Sequence, residues 1–265
     1  MELKNQIKTS LETLRKNHPL ILNITNLVVT NTTANALLAL GASPIMAQSR
    51  KELAELVDLS QALLINIGTM DQVDVARMKY AIQEANIEHK PVILDPVGCG
   101  ISEFRTQISR DLFSMAERLI VRGNSAEIQE LFGIKAHSQG VDSLDSSDQA
   151  IKAAKKLIEK KDCTVIISGV TDYIVTKNSV YAVKNGDMMM SRITGMGCIH
   201  TAITAAFAGI EDMSGLCSTV IMGVAGEIAA QKSEGPGSFA MHFIDALYSI
   251  TPELLAEKAQ IESIE

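Results

Sequence analysis

Ala62-Leu63-Leu64-Ile65-Asn66-Ile67-Gly68, then a long segment from about Asp71 to Glu88, then Pro91-Val92-Ile93-Leu94-Asp95: this run sets the plan of the chain. Its two outer pieces are apolar almost throughout rather than at alternate positions, as strands covered on both faces are. The segment between them has the length of a helix. The predicted unit is therefore strand, helix, parallel strand.

Reading outward, the pattern recurs. Residues 4–17 look like an amphipathic helix and Leu20–Ile24 like a strand. Asn31–Leu40 reads as a helix stopped by Gly41, Pro44–Ala47 as a second strand, and Lys51–Leu59 as a helix. Beyond Asp95 come a helix near Gln107–Ala116, a strand Leu119–Val121, helices Ser125–Phe132 and Ser146–Lys161, and a strand Thr164–Ile167. Two short β runs around Lys177-Asn178-Ser179 suggest a hairpin on one edge. Three helices, near 198–209, 214–232 and 238–249, are expected to close the chain. No Pro/Gly/Ser linker and no internal repeat divides it. The expectation is one α/β domain over residues 1–265, with a mostly parallel central sheet, helices on both faces and a small antiparallel edge.

Composition narrows the classes. Hydrophobic residues make up 46% of 265 residues, ample for a core. Net charge is −7 with the cations dispersed, which disfavours nucleic acid as a partner. The start of the chain has no apolar signal region, and no run of about 18 apolar residues offers a membrane span. Cys99, Cys163, Cys198 and Cys217 form neither a Cys-x-x-Cys pair nor a disulfide framework, so a reduced cytoplasm is expected.

In such sheets ligands sit at the carboxyl ends of the strands. Polar or glycine residues follow almost every strand here: Asn23, Gly68, Asp95, Arg122-Gly123-Asn124 and Ser168-Gly169. They are expected to share one rim with Arg192-Ile193-Thr194-Gly195-Met196-Gly197-Cys198-Ile199-His200. In that stretch Thr194 reads as a helix N-cap, and a glycine turn feeding a helix start collects free N–H groups and the positive end of the helix dipole. It is an anion site in physical terms, and also what a plain turn into a core helix looks like.

The rim residues admit two readings each. Asp95 could ligate a metal or simply close a turn. Glu127, three residues after Asn124, could be a capping-box residue. If both carboxylates stand beside a phosphate, Mg²⁺ is implied. Arg122 could clamp phosphate or form an ordinary surface ion pair, and Ser168-Gly169 offers a hydroxyl and a backbone N–H. Cys198 lies in the first turn of a helix, where a lowered thiol pKa is expected. His200 is on another helix face, so a sequence-local Cys–His dyad is not expected. Met188-Met189-Met190 reads as strand and core. No Gly-x-x-x-x-Gly-Lys-Ser/Thr occurs, the protein-kinase motifs are absent, and position 200 is His where a dinucleotide fingerprint needs glycine.

Four colinear blocks then carry a resemblance. They are Pro19–Asn26 continued by Thr33-Ala34-Asn35 and Leu38–Met46; Asp95-Pro96-Val97-Gly98-Cys99-Gly100 with Arg105; Arg122–Glu127; and Thr194–Cys198. In these the chain resembles the hydroxyethylthiazole kinase family of the ribokinase-like superfamily. The resemblance implies ATP- and Mg²⁺-dependent phosphorylation of the primary alcohol of 4-methyl-5-(2-hydroxyethyl)thiazole, a salvage step toward thiamine. By motif position it puts Arg122 and Ser168, with Gly169 and Thr194, at ATP, and Asp95 and Glu127 at Mg²⁺ and the phosphates. It puts Met46, Asn26, Gly68 and the Gly195 backbone at the thiazole. It makes Gly195, Gly197 and Cys198 the catalytic loop, and implies a homotrimer with sites between subunits. Cys198 stands where most ribokinase-like enzymes carry an aspartate base. Met196 and Cys99 stand where relatives commonly have small residues. Rival expectations on the same scaffold are a kinase for another small ring alcohol, a dehydratase repairing hydrated nicotinamide cofactors, and a nucleotide-sensing module.

Overall fold

A computed structural model describes residues 2–135 and 144–264. Among these, nine strands form one sheet: β1 (Leu20–Ile24), β2 (Ser43–Met46), β3 (Ala62–Asn66), β4 (Val92–Asp95), β5 (Leu119–Asn124), β6 (Cys163–Ser168), β7 (Asp172–Val175), β8 (Val180–Val183) and β9 (Ile261–Ser263). Their order is β2-β1-β3-β4-β5-β6-β7-β8-β9. The pairings from β2 to β6 are parallel and those from β6 to β9 antiparallel.

The apolar strands hide a period of two. Leu64, Ile93, Ile120 and Ile166 point into one core, while Leu63, Ile65, Val92, Leu94, Val121 and Val165 point into another. On the first face lie α1 (Glu2–Asn17), α2 (Thr30–Leu40), α8 (Met196–Ala208), α9 (Leu216–Lys232), α10 (Pro236–Ser249) and α11 (Pro252–Lys258). On the second lie α3 (Leu53–Leu59), α4 (Gln72–Ile87), α5 (Glu103–Met115), α6 (Ser125–Phe132) and α7 (Leu144–Lys160). The crossover β1–α2–β2 runs one way along the sheet, whereas the crossovers β3–α4–β4 and β4–α5–β5 run the other way. A right-handed rule then requires their helices on opposite faces, as observed. The direction reverses between β1 and β3, which makes that gap the ligand crevice of the fold.

Several expectations are corrected. Chain closure takes a fourth helix, α11, and a ninth strand, because Pro252 and Thr251 start a short capped helix whose exit pairs with β8. Helix α5 starts at Glu103, since Ser102 caps it by accepting from the Arg105 N–H at 3.2 Å. Residues 50–52 are a 3₁₀ turn before α3. Met188–Arg192 is also a 3₁₀ turn rather than a strand; Asp187 caps it, and Met188 is exposed. Among the described residues no helix is long and apolar enough to cross a membrane. All four cysteines are free.

Candidate active site

The strand periodicity that divides the core also builds a polar row. Asn66, Asp95, Arg122 and Ser168 follow Leu64, Ile93, Ile120 and Ile166 by two residues, so all four rise on the α8 face at the carboxyl ends. Register places Asn66 directly beside Asp95.

Helix α8 meets this row at its N-terminus. Its N-cap is Gly195, at φ 86°, with no side-chain cap; the expected cap, Thr194, is exposed and makes no capping bond. Glycine is required there twice over, because the left-handed backbone disfavours a side chain and an added Cβ would stand 2.6 Å from Val29 Cγ1. Gly197 matters for another reason: a Cβ there would collide with the Arg122 guanidinium lying across it and push it aside. The first N–H groups of α8 have no acceptor within the helix, so they and Arg122 face one place.

A hydrogen-bonded chain crosses the crevice. Asn26 Nδ2 donates to Asn66 Oδ1 (2.8 Å) and reaches Cys198 Sγ (3.4 Å), and the Gly68 N–H also donates to Asn66 Oδ1 (2.9 Å). With its oxygen taken twice, Asn66 must turn Nδ2 to Asp95 Oδ2, at 2.8 Å; Thr201 Oγ1 donates to the same oxygen at 2.8 Å. No hydrogen bond reaches Asp95 Oδ1 among the described residues. The Asp95 carboxyl is pushed up to about 6, chiefly by burial, with Arg122 opposing and Glu127 adding to the rise.

Arg122 Nη2 donates to Ser168 Oγ at 2.6 Å, while its Nε is buried without a partner among the described residues. A buried guanidinium donor left open fits an anion. Glu127 forms the capping box with Asn124: its Oε2 accepts the Asn124 N–H (2.8 Å), and its Oε1 accepts the Gly98 N–H (2.9 Å). Both oxygens keep a second lone pair for a ligand. No cluster of three His, Cys, Asp or Glu suited to a metal occurs among the described residues. Asp95, with the Glu127 charge near enough to act on it, suits Mg²⁺, which takes few protein ligands and completes its shell with phosphate oxygens and water.

Two further expectations fail here. The Cys198 thiol is pushed up to about 11, by burial and by Asp95, because desolvation beside an anion outweighs the helix start. The Gly169 N–H is not free: Asp172 Oδ1 accepts it at 2.9 Å. His200 is buried against Thr219, 3.2 Å away, and held well below its usual pKa by burial, so no dyad with Cys198 forms. Met46 ends edge strand β2, beside Asn23 in register, at the outer end of the rim. A cleft of about 510 Å³ beside Lys161 and Asn178, and another of about 630 Å³ beside Arg110 and Glu130, contain none of these groups.

Asn66, Thr201 and Asp172 were not singled out from sequence. Asn66 carried a signal, since it ends an apolar strand as Asp95 ends the next one. Thr201 had a weaker one, four residues from Gly197 on the same helix face. Arg105, in the same sequence block as Asp95, is a clamp: its guanidinium donates to the Ile67, Gly68 and Val97 carbonyls at 2.8–3.0 Å and ties two rim loops together.

A helix N-terminus, an arginine and two carboxylates gathered at the carboxyl ends of β4, β5 and β6 in a mostly parallel sheet mark the chain as a ribokinase-like kinase. The comparisons agree in kind. The family model "Hydroxyethylthiazole kinase family" matches residues 11–253. A hydroxyethylthiazole kinase of Photobacterium profundum is 51% identical over 265 residues, covering 100% of this chain and 97% of that protein. The structure of a hydroxyethylthiazole kinase from Pyrococcus horikoshii OT3 superposes with a TM-score of 0.91 at 36% identity, over 98% and 100% of the two chains. A ribokinase-like superfamily protein from Enterococcus faecalis V583 shares the fold alone, with a TM-score of 0.63 at 12% identity over 91% and 93% of the two chains. The chain belongs to the hydroxyethylthiazole kinase family.

Proposed function

We propose that this protein transfers the γ-phosphoryl group of ATP to the primary alcohol of 4-methyl-5-(2-hydroxyethyl)thiazole, with Mg²⁺, as a cytoplasmic step in thiamine salvage. The observation that carries this reading is the Arg122 guanidinium laid across Gly197 at the start of α8, with one buried donor open and Asp95 beside it. Phosphoryl transfer is mainly positioning and charge stabilisation, and this arrangement supplies both. Arg122 and Ser168 receive the nucleotide phosphates, with Gly169 and Thr194 flanking them. The amides of Gly195 to Cys198 and the dipole of α8 face the charge that develops on the moving group. Asp95 and Glu127 hold Mg²⁺, which when bound neutralises phosphate charge. Cys198 serves through its backbone N–H, since its thiol stays protonated near neutral pH.

Asn26, Gly68, Met46 and the Gly195 backbone receive the thiazole. An added Cβ on Gly68 would press on the Asn26 side chain, so these two already fit closely. Met46 lies at the sheet edge, and Leu27, Val28 and Leu38 are exposed nearby in chain order. Exposed apolar side chains of this kind suit a homotrimer in which a second copy completes the substrate site, with residues 1–265 acting as one domain. Sedimentation of the full chain tests it, a monomer mass counting against the trimer. The activity is tested by incubating protein, ATP and the thiazole alcohol with and without Mg²⁺, and identifying the product by mass. A phosphorylated thiazole formed only with Mg²⁺ is expected; its absence from a folded, ATP-binding protein would overturn the assignment.

A further inference from the structure

The polar row does not end at Ser168. Strands β6 and β7 are antiparallel, with Ile166 opposite Ile174 and Ile167 opposite Tyr173. One more step in that register sets Ser168 opposite Asp172. Asp172 therefore rises on the same face as Ile174 and Ile166, in line with Asn66, Asp95, Arg122 and Ser168.

Two further observations concern what Asp172 does there. Its Oδ1 accepts the Gly169 N–H at 2.9 Å, closing the turn from Gly169 to Asp172. The Val170 side chain at the tip of that turn is exposed and adds no packing to it. The charge of Arg122 also acts on Asp172, opposing the rise to about 6 that burial imposes on its carboxyl. In strand order Arg122 in β5 thus stands between Asp95 in β4 and, across Ser168 in β6 to which its Nη2 donates at 2.6 Å, Asp172 in β7. An arginine has many rotamers, and fixing them at the moment of binding weakens affinity; a neighbour that fixes them beforehand removes that cost.

We propose that Asp172 is a positioning residue for the nucleotide: it pins the turn that carries Ser168 and holds Arg122 where the ATP phosphates meet it. This rests on the functional reading above, which puts Arg122 at the phosphates. In this role Asp172 acts through Ser168 and Arg122 rather than on the phosphate or the alcohol.

The test compares wild type with Asp172→Asn and Asp172→Ala in the full chain. Asparagine keeps an acceptor oxygen for the Gly169 N–H and loses the charge facing Arg122; alanine loses both. Steady-state rates with the thiazole alcohol and ATP are measured at saturating Mg²⁺, and ATP binding is measured by calorimetry. For Asp172→Ala we expect KM and Kd for ATP to rise about tenfold, the loss of one well-placed charge-assisted contact, while KM for the alcohol stays within about twofold. Asp172→Asn is expected to restore the melting temperature and to keep part of the rise for ATP, about threefold. ATP parameters within twofold of wild type in folded Asp172→Ala would overturn the proposal. So would an equal rise for both substrates, which marks a merely structural residue. If Asp172→Ala does not fold, Asp172→Asn decides by the same ATP measurements. A wild type that makes no thiazole phosphate would refute the functional reading instead, and ATP binding would still judge Asp172.

Discussion

Asn26 Nδ2 stands 3.4 Å from Cys198 Sγ while it donates to Asn66 Oδ1 at 2.8 Å, so the cysteine faces a donor and not a base. That contact favours the thiolate, but burial and the Asp95 charge outweigh it, and a thiol that keeps its own proton cannot take one from the alcohol. With its thiol pushed up to about 11, almost none is thiolate at neutral pH. Cys198→Ala keeps the backbone N–H at the start of α8 and removes only the sulfur. Its kcat should stay within about threefold of wild type, since positioning and electrostatics carry the transfer. Loss of turnover in a folded variant would show that the thiol takes part.

Gly197→Ala separates folding from catalysis. The helix itself tolerates alanine better than glycine. The added methyl strikes the end of the flexible Arg122 side chain, which can swing away without disturbing the core. We expect little change in melting temperature and a rise in KM for ATP of about tenfold or more, as a displaced arginine loses paired contacts. A kinetically silent Gly197→Ala would remove Arg122 from the nucleotide site.

Continuous apolar strands between helices specify a covered parallel sheet. The residues just past each strand end, Asp95 and Arg122 among them, then share a rim by topology alone. Asp172 escaped because its place depends on the β6–β7 register, which only the pairing of Ile167 with Tyr173 reveals. The chemistry of Cys198 escaped because the helix start is local while the opposing influences, burial and Asp95, are not. The Gly-x-Gly pattern was visible, but its cause was not: Val29, far away in sequence, crowds any side chain at Gly195, and Arg122 lies where one at Gly197 would go.

The Asp95 carboxyl makes a prediction about pH. Its pKa is about 6 in the fold against 3.8 for an unperturbed aspartate, so folding favours the protonated form. The stability it lends is present below pH 3.8 and lost as pH rises through about 6. At pH 8 the buried charge costs up to roughly 3 kcal/mol, less whatever Arg122 loses with it. Asp95→Asn should therefore gain thermal stability over wild type at pH 8, and the gain should shrink toward pH 4, while activity is lost. Melting curves of both proteins across that range check it; a pH-independent difference would refute the assigned direction.

Glu127 serves the fold and the proposed site together, and one substitution can read both. Its Oε1 takes the Gly98 N–H and its Oε2 takes the Asn124 N–H, so the carboxylate joins the β4 loop to the start of α6. Glutamine has a single acceptor oxygen, and one of the two N–H groups must lose its partner. An unsatisfied donor costs about 1–2 kcal/mol, so Glu127→Gln should melt a few degrees lower. If Glu127 also holds Mg²⁺, losing its charge weakens an ion bound by only one or two carboxylates, and half-saturation should require several-fold more Mg²⁺. Titrating activity against Mg²⁺ at saturating ATP separates the effects. A lower melting temperature with an unchanged Mg²⁺ requirement would leave Glu127 a capping residue and Asp95 the one protein carboxylate on the metal.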